Sequence, residues 1–130
     1  MTIEAIPTPS QPFAAGPYST AVRIGDWVVC SGQVGMDPET GALVEGGVDV
    51  QARRALDNVT AILGDCDATW ADVAKVTLFV AAESPHAMPA VNTVYAEVVG
   101  EHRPARSTVG VAWLPMGASF EIEAWVHKPA

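Results

Sequence analysis

The chain predicts an α+β domain with its elements in the order β-β-β-α-β-α-β-β. Two observations carry this reading. β-branched and apolar runs with a period near two recur at both ends of the sequence, and two inner stretches switch to a period near 3.6. A third observation concerns what surrounds the core. Hydrophobic residues make up 49% of the 130 residues and charged residues only 17%, enough for one sizeable core with apolar surface left over for other subunits. No repeat, low-complexity tract or linker interrupts residues 1–130, so a single domain is expected.

In order, a short first strand gives way to prolines at 7, 9, 12 and 17, which impose an irregular arm. Residues 20–24 and 27–33 are strand-like, and Gly25-Asp26 between them is a two-residue hairpin signal. Asp37-Pro38-Glu39-Thr40-Gly41 is a turn cluster. Ala52, Ala55, Leu56, Val59, Ile62 and Leu63 then form one stripe, predicting a helix over 49–63 with Asp49 as N-cap and Gly64 as stop. Residues 72–82 read as a strand. Ser84-Pro85 reads as an N-cap followed by proline at the first helical position, starting a second helix that runs to Val99. Residues 107–114 and 119–127 are the last strands, and their short connection through Pro115-Met116-Gly117 suggests a hairpin. Helices of this kind need a sheet face to cover. If both cover one face, the other face must be solvated or meet another subunit, and its strands are too apolar for solvent.

The charge balance narrows function. A net charge of -8 and a pI near 4.6 argue against nucleic-acid partners and against attraction to anionic membranes. Residues 1–7 lack a basic, apolar leader, and no run approaches the roughly 18 apolar residues of a membrane helix. The expected location is cytoplasmic. Cys30 and Cys66 form no CxxC or Cys/His cluster, so no metal site is expected, and both read as reduced, semi-buried hydrophobes.

Only 7 residues are Lys or Arg, so each cation invites explanation. Arg106, in Arg103-Pro104-Ala105-Arg106-Ser107-Thr108-Val109, stands at the mouth of a strand with no acidic residue in the seven positions after it. There it could fork two hydrogen bonds onto a small carboxylate, or serve in a salt bridge or at a helix end. Glu121 and Glu123 share one strand face, opposite Phe120 and Ile122, and either could position water or move a proton, or simply be solvated. Asn92 falls within the apolar stripe of the second helix (Met88, Val91, Tyr95, Val99), where an amide needs a partner, either a loop or a ligand. Gly16-Pro17-Tyr18-Ser19 is a restricted turn that would present the Tyr18 hydroxyl, and in Ser31-Gly32-Gln33 the glycine permits close backbone approach. His86, His102 and His127 form no readable pair.

Taken together, these motifs resemble the RidA family of reactive-intermediate deaminases, also called the YjgF/YER057c/UK114 family. The matching residues are Gly16-Pro17-Tyr18-Ser19, Ser31-Gly32-Gln33, the Gly41 turn, Gln51 through Asp57-Asn58, Val91-Asn92 with Tyr95, Pro104-Ala105-Arg106-Ser107, Leu114-Pro115 and Glu121-Ile122-Glu123. They span about residues 14–127. The resemblance implies a chorismate-mutase-like fold: a six-stranded mixed sheet with two helices packed on one face. It also implies that the final strand runs between the third and fourth, against the hairpin that spacing suggests. A homotrimer with sites between subunits is implied as well.

The implied activity is that of a 2-iminobutanoate/2-iminopropanoate deaminase-like hydrolase. It converts reactive enamines or imines such as 2-aminoacrylate into a 2-keto acid and ammonia, without cofactor. Arg106 would hold the substrate carboxylate, Glu121 would orient the attacking water, and Tyr18, Ser31, Gly32 and Asn92 would shape the pocket. Thr108 stands where many deaminating members carry cysteine, and it keeps a hydroxyl toward the ligand. The 93–105 segment is a few residues shorter than common, Phe120 replaces an aliphatic residue, and Trp113 is bulky. These departures leave two alternatives: the same scaffold hydrolysing another pathway-specific substrate, or a non-catalytic protein that binds a carboxylate or keto acid.

Overall fold

A computed structural model of the chain describes residues 2–13, 16–81 and 85–130. Six strands form one sheet: β1 (Ile3–Ala5), β2 (Ala21–Ile24), β3 (Trp27–Val34), β4 (Val73–Val80), β5 (Ala105–Gly110) and β6 (Phe120–His127). Two α-helices, α1 (Val48–Asp65) and α2 (Met88–Val99), complete the frame. The sheet order is β1-β2-β3-β6-β4-β5. β4 and β5 are parallel, joined by the α2 crossover, and all other pairs are antiparallel. The element order is the expected one.

The last two strands are not a hairpin. β6 lies between β3 and β4, as the family resemblance implies, while β5 pairs with β4 alone. The physical reason lies in the alternation of β6. Phe120, Ile122, Ala124 and Val126 are all fully buried beneath the helices, and only a central strand can have that whole row covered. Val91, Val94, Tyr95 and Val99 of α2 join Ala52, Leu56, Val59 and Ile62 of α1 in the same core. Both helices therefore cover one face, leaving Glu121, Glu123 and Trp125 on the open face.

Several boundaries move from those read in the sequence. α1 begins after Gly47, whose extended backbone caps it without a side-chain bond. Asp49 sits inside the first turn, where its charge still suits the helix dipole. The helix continues through Gly64 and is capped at Cys66, whose N–H reaches Ile62 and Leu63 carbonyls at 3.1 and 3.0 Å. Ser84, the expected cap of the second helix, lies outside the described residues. A 3-10 turn over Pro85–Ala87 precedes α2. β5 runs from Ala105 to Gly110 rather than over 107–114, because its partner β4 ends at Val80 and the last ladder bond is Val111 N–H to Val80 O, 3.0 Å. Beyond it Trp113 is 75% exposed.

The end of β3 is fastened to α1 by polar contacts. Asn58 is 0% exposed, and its Nδ2 donates to the carbonyls of Met36 (2.8 Å) and Val34 (3.3 Å). Its Oδ1 accepts from Arg54 Nε at 3.1 Å. Gln51 Oε1 accepts from Ser119 N–H at 2.8 Å, tying the start of β6 to the same helix. Gly35 packs so closely that a Cβ there would lie 2.7 Å from the Gln51 backbone oxygen.

Asn58→Ala should destabilise the protein by about 1–3 kcal/mol, because the Met36 carbonyl loses its side-chain donor, the Val34 carbonyl loses its second one, and the fully buried amide leaves a void. Urea unfolding should show a lower midpoint with an unchanged slope. A midpoint within error of the parent would mean that Asn58 does not hold the β3 end.

Candidate active site

A cavity of about 200 Å³ opens beside the end of β3. Glu121, opposite Val34 on β3 and Phe79 on β4, reaches it from the open face of the sheet. The β3–β6 register slips between Cys30 and Gln33, and Gly32 sits within that slip. A Cβ on Gly32 would meet Glu121 Cδ at 2.7 Å and Oε1 at 3.0 Å. The absence of a side chain at 32 is therefore what lets the carboxyl lie against the strand. Burial raises the Glu121 pKa above its ordinary value, and the Glu123 carboxylate on the same face raises it further.

Tyr18 also lines this cavity and is 52% exposed. Its N–H donates to Gly16 O at 2.9 Å, closing the tight turn expected there. Ser31 is not among the lining residues. Its hydroxyl donates to Ser19 O at 2.6 Å and its N–H to Thr20 O at 2.9 Å. Ser31 thus fastens the Tyr18 segment to β3 from behind.

Arg106 lies elsewhere. It is the second residue of β5, opposite the fully buried Val76 in the parallel register, and so points to the helix side of the sheet. Its guanidinium carbon stands 5.0 Å from the centroid of the Tyr95 ring, a cation–π arrangement. Asn92, Tyr95, Arg103 and Pro104 line a shallow hollow with it. Asn92 is exposed here and flanks the buried stripe rather than lying within it. Its one-residue offset from Val91 turns it out of the core, toward the Arg106 hollow. Thr108 follows Arg106 on the same side of β5, is exposed, and lines neither space.

The expected site residues therefore divide within one chain. Glu121, Tyr18 and Gly32 share a cavity that Glu121 enters from the open face, and Arg106 and Asn92 share a hollow on the helix side. Sequence reasoning missed Gln11, Met36 and Met116 on the first and Arg103 on the second. It also counted Tyr95 only as core. Met116 carried a signal beside Gly117: both take left-handed backbone, with φ of 62° and 71°. Gln11 carried none, since its place depends on how the proline-rich arm folds back.

The fold and these residues define a small α+β protein of the Rid type, and comparison with known proteins agrees. The endoribonuclease L-PSP family profile matches residues 8–128. A RutC family protein of Pyrococcus abyssi is 39% identical over 98% of this chain and 99% of its own. A Salmonella typhimurium protein named 2-iminobutanoate/2-iminopropanoate deaminase is 42% identical over 93% of this chain and 94% of its own. The crystal structure of RidA from an Antarctic Psychrobacter species superposes with a TM-score of 0.88 at 36% identity, covering 95% of this chain and 98% of that one. The chain belongs to the endoribonuclease L-PSP family, of which RidA is a member. No helix among the described residues is long and apolar enough to cross a membrane.

The raised pKa of Glu121 has a stability consequence. The folded state favours its protonated form, so the penalty on folding builds as pH rises through the ordinary carboxyl range, is complete above the raised folded value, and vanishes below the ordinary range. Glu121→Gln should therefore melt above the parent at pH 8, with the gap closing as pH falls toward 4. A gap that stays constant with pH would remove the electrostatic explanation.

Proposed function

We propose that this protein is a hydrolytic deaminase of reactive 2-imino acids and their enamine tautomers, releasing a 2-keto acid and ammonia. The reading is carried by a cavity-lining carboxyl of raised pKa on one side of the sheet together with a scarce, ring-supported arginine on the other. The sequence identity to proteins named 2-iminobutanoate/2-iminopropanoate deaminase supports the substrate class.

The reaction asks little of the protein. The imine carbon is already electrophilic, so positioning and proton transfer suffice. The Arg106 guanidinium takes the substrate carboxylate in a two-pronged contact, with the Asn92 amide beside it. Glu121 accepts a proton from water as the water oxygen bonds to the imine carbon. The proton passes to the nitrogen, giving a carbinolamine. The hydroxyl proton then passes by way of Glu121 to the amino nitrogen, and as the carbonyl forms the C–N bond breaks and ammonia departs. A carboxyl held above its ordinary pKa is better matched to taking and returning a proton near neutrality than an exposed one. Tyr18 and Gly32 border the reacting group, Ser31 fixes the strand behind them, and Thr108 contributes a hydroxyl near Arg106.

One small molecule cannot meet Arg106 and Glu121 of the same chain if each keeps its side of the sheet. The complete site is therefore built by two chains of a homotrimer, one giving Arg106 and Asn92, its neighbour giving Glu121, Tyr18 and Gly32. Every residue of the edge strand β5 is exposed, and Val109 and Trp125 leave apolar surface on the open face, 41% and 46% exposed. That surface is suited to a subunit contact. The number three rests on the family resemblance. Cytoplasmic residence fits two free, buried cysteines.

A coupled assay with a dehydratase that generates 2-aminoacrylate tests the activity. Micromolar protein should speed keto-acid release over the protein-free rate. Arg106→Ala should lower kcat/KM by about a hundredfold, and Arg106→Lys by less, since it keeps the charge but loses the fork. Release no faster than the blank would exclude this substrate.

A second experiment tests the shared site. Arg106→Ala and Glu121→Gln proteins should each be nearly inactive. Subunits of the two, unfolded and reassembled together at equal amounts, should regain about a quarter of the parent sites, because each restored site draws one intact residue from each chain. No regain in verified mixed oligomers would place both residues in one chain's site.

A further inference from the structure

Gln11 is the most deeply buried polar side chain of the Glu121 cavity, 5% exposed. Neither its Nε2 nor its Oε1 has a hydrogen-bond partner among the described residues. Such an amide offers two donor hydrogens and an acceptor oxygen, and buried amides are rarely left with all of them unused.

The arm that carries it is pinned. Ile6 N–H donates to Ala21 O at 3.0 Å, and Gln11 N–H donates to Thr8 O at 3.0 Å. The backbone N–H and hydroxyl of Ser10 both donate to the Asp65 carboxylate at the end of α1. Gln11 is thus held in place between Ser10 and the conformationally restricted Pro12. The walls around it are largely apolar. Phe13 overlies Gly41, where a Cβ would meet the ring at 3.1 Å, and Met36 and Met116 complete that side. Met116 takes its left-handed backbone in the turn that carries it to the cavity.

We infer that this cavity receives the substrate's own side chain, and that Gln11 selects side chains ending in an uncharged hydrogen-bonding group on an apolar stem. The inference rests on the imine-hydrolase reading and sharpens it. The reacting carbon lies at Glu121 and Gly32, the stem between Met36 and Met116, and the polar end at Gln11. Among the described residues no Lys or Arg lines the cavity, so a second carboxylate would find no counter-charge there and would face Glu121. An ammonium end would pair with Glu121 and occupy the group the reaction needs.

Matched substrates test this. An L-amino-acid oxidase supplies 2-imino acids in situ, semicarbazide traps what is not hydrolysed, and the fall in trapped product measures the protein's rate. The pairs are the imines of tyrosine and phenylalanine, and of methionine sulfoxide and methionine. Each pair differs by one polar group. The polar member should be preferred by about tenfold in kcat/KM, the scale of one neutral hydrogen bond. Gln11→Leu should bring the ratio close to one. The readout is a ratio on one sample, so partial unfolding of the variant cancels. Equal treatment of both members by the parent, or a preference that survives in Gln11→Leu, overturns the inference.

Calorimetric binding of 4-hydroxyphenylpyruvate and phenylpyruvate to the same two proteins separates the two readings. If no imine is hydrolysed, the deaminase reading fails. A hydroxyl preference in binding, lost in Gln11→Leu, would still support the selective role of Gln11, and its absence would reject that role.

Discussion

β6 hydrogen-bonds to β3 on one side and β4 on the other, although it is the last strand of the chain. The remaining architecture depends on that insertion. Its inward row, from Phe120 to Val126, is the floor on which α1 packs. Its outward row carries Glu121 to the cavity and Glu123 beside it. Because successive strand residues point to opposite faces, the core and the reactive carboxyl are set by the same register. A shift of one residue would bury both glutamates and expose Phe120 and Ile122, so the register that makes the core also aims the chemistry. Gln51 and Asn58 reinforce it by fastening the β6 start and the β3 end to α1.

Around that strand the site is made from few polar parts. Gly32 contributes by what it lacks, since any Cβ would displace the Glu121 carboxyl. Burial and Glu123 tune that carboxyl upward. Arg106 rests over Tyr95, whose hydroxyl is buried without a partner among the described residues. Burial raises the Tyr95 pKa, while Arg106 and Arg103 counter it. The aromatic platform limits how the guanidinium can turn, and a guanidinium of limited orientation loses less entropy when it grips a carboxylate. The acidic balance of the chain as a whole makes this corner, with Arg103 and Arg106 together, a local exception in charge.

Much of this could be read from residue order. The α1 stripe predicts the helix within two residues at either end, and Gly25-Asp26 predicts a hairpin that the structure pairs from Ile24 to Trp27. The errors have specific causes. Asp49 and Gly64 are good capping residues, but the helix is extended past both by packing, which outweighs local preference. β5 stops where β4 ceases to offer a partner, a limit that no local pattern announces. The spacing of its apolar neighbours places Asn92 on the buried stripe, and a single step around the helix from Val91 turns it outward. Tyr95 belongs to the buried stripe, yet the face of the same ring supports Arg106.

Residue order alone sets the elements and their faces, the scarcity of cations that makes Arg106 conspicuous, and the motif set that marks the family. Those properties are local: period, turn chemistry and composition act within a few residues. Long-range packing is what puts Arg106 and Glu121 on opposite sides of the sheet, brings Gln11 from the distant arm to the Glu121 cavity, and makes β6 central, a place that the family motifs imply but no local pattern does. Each depends on contacts between segments far apart in the chain, whose pairing is chosen by the burial of the whole core rather than by any neighbouring residue.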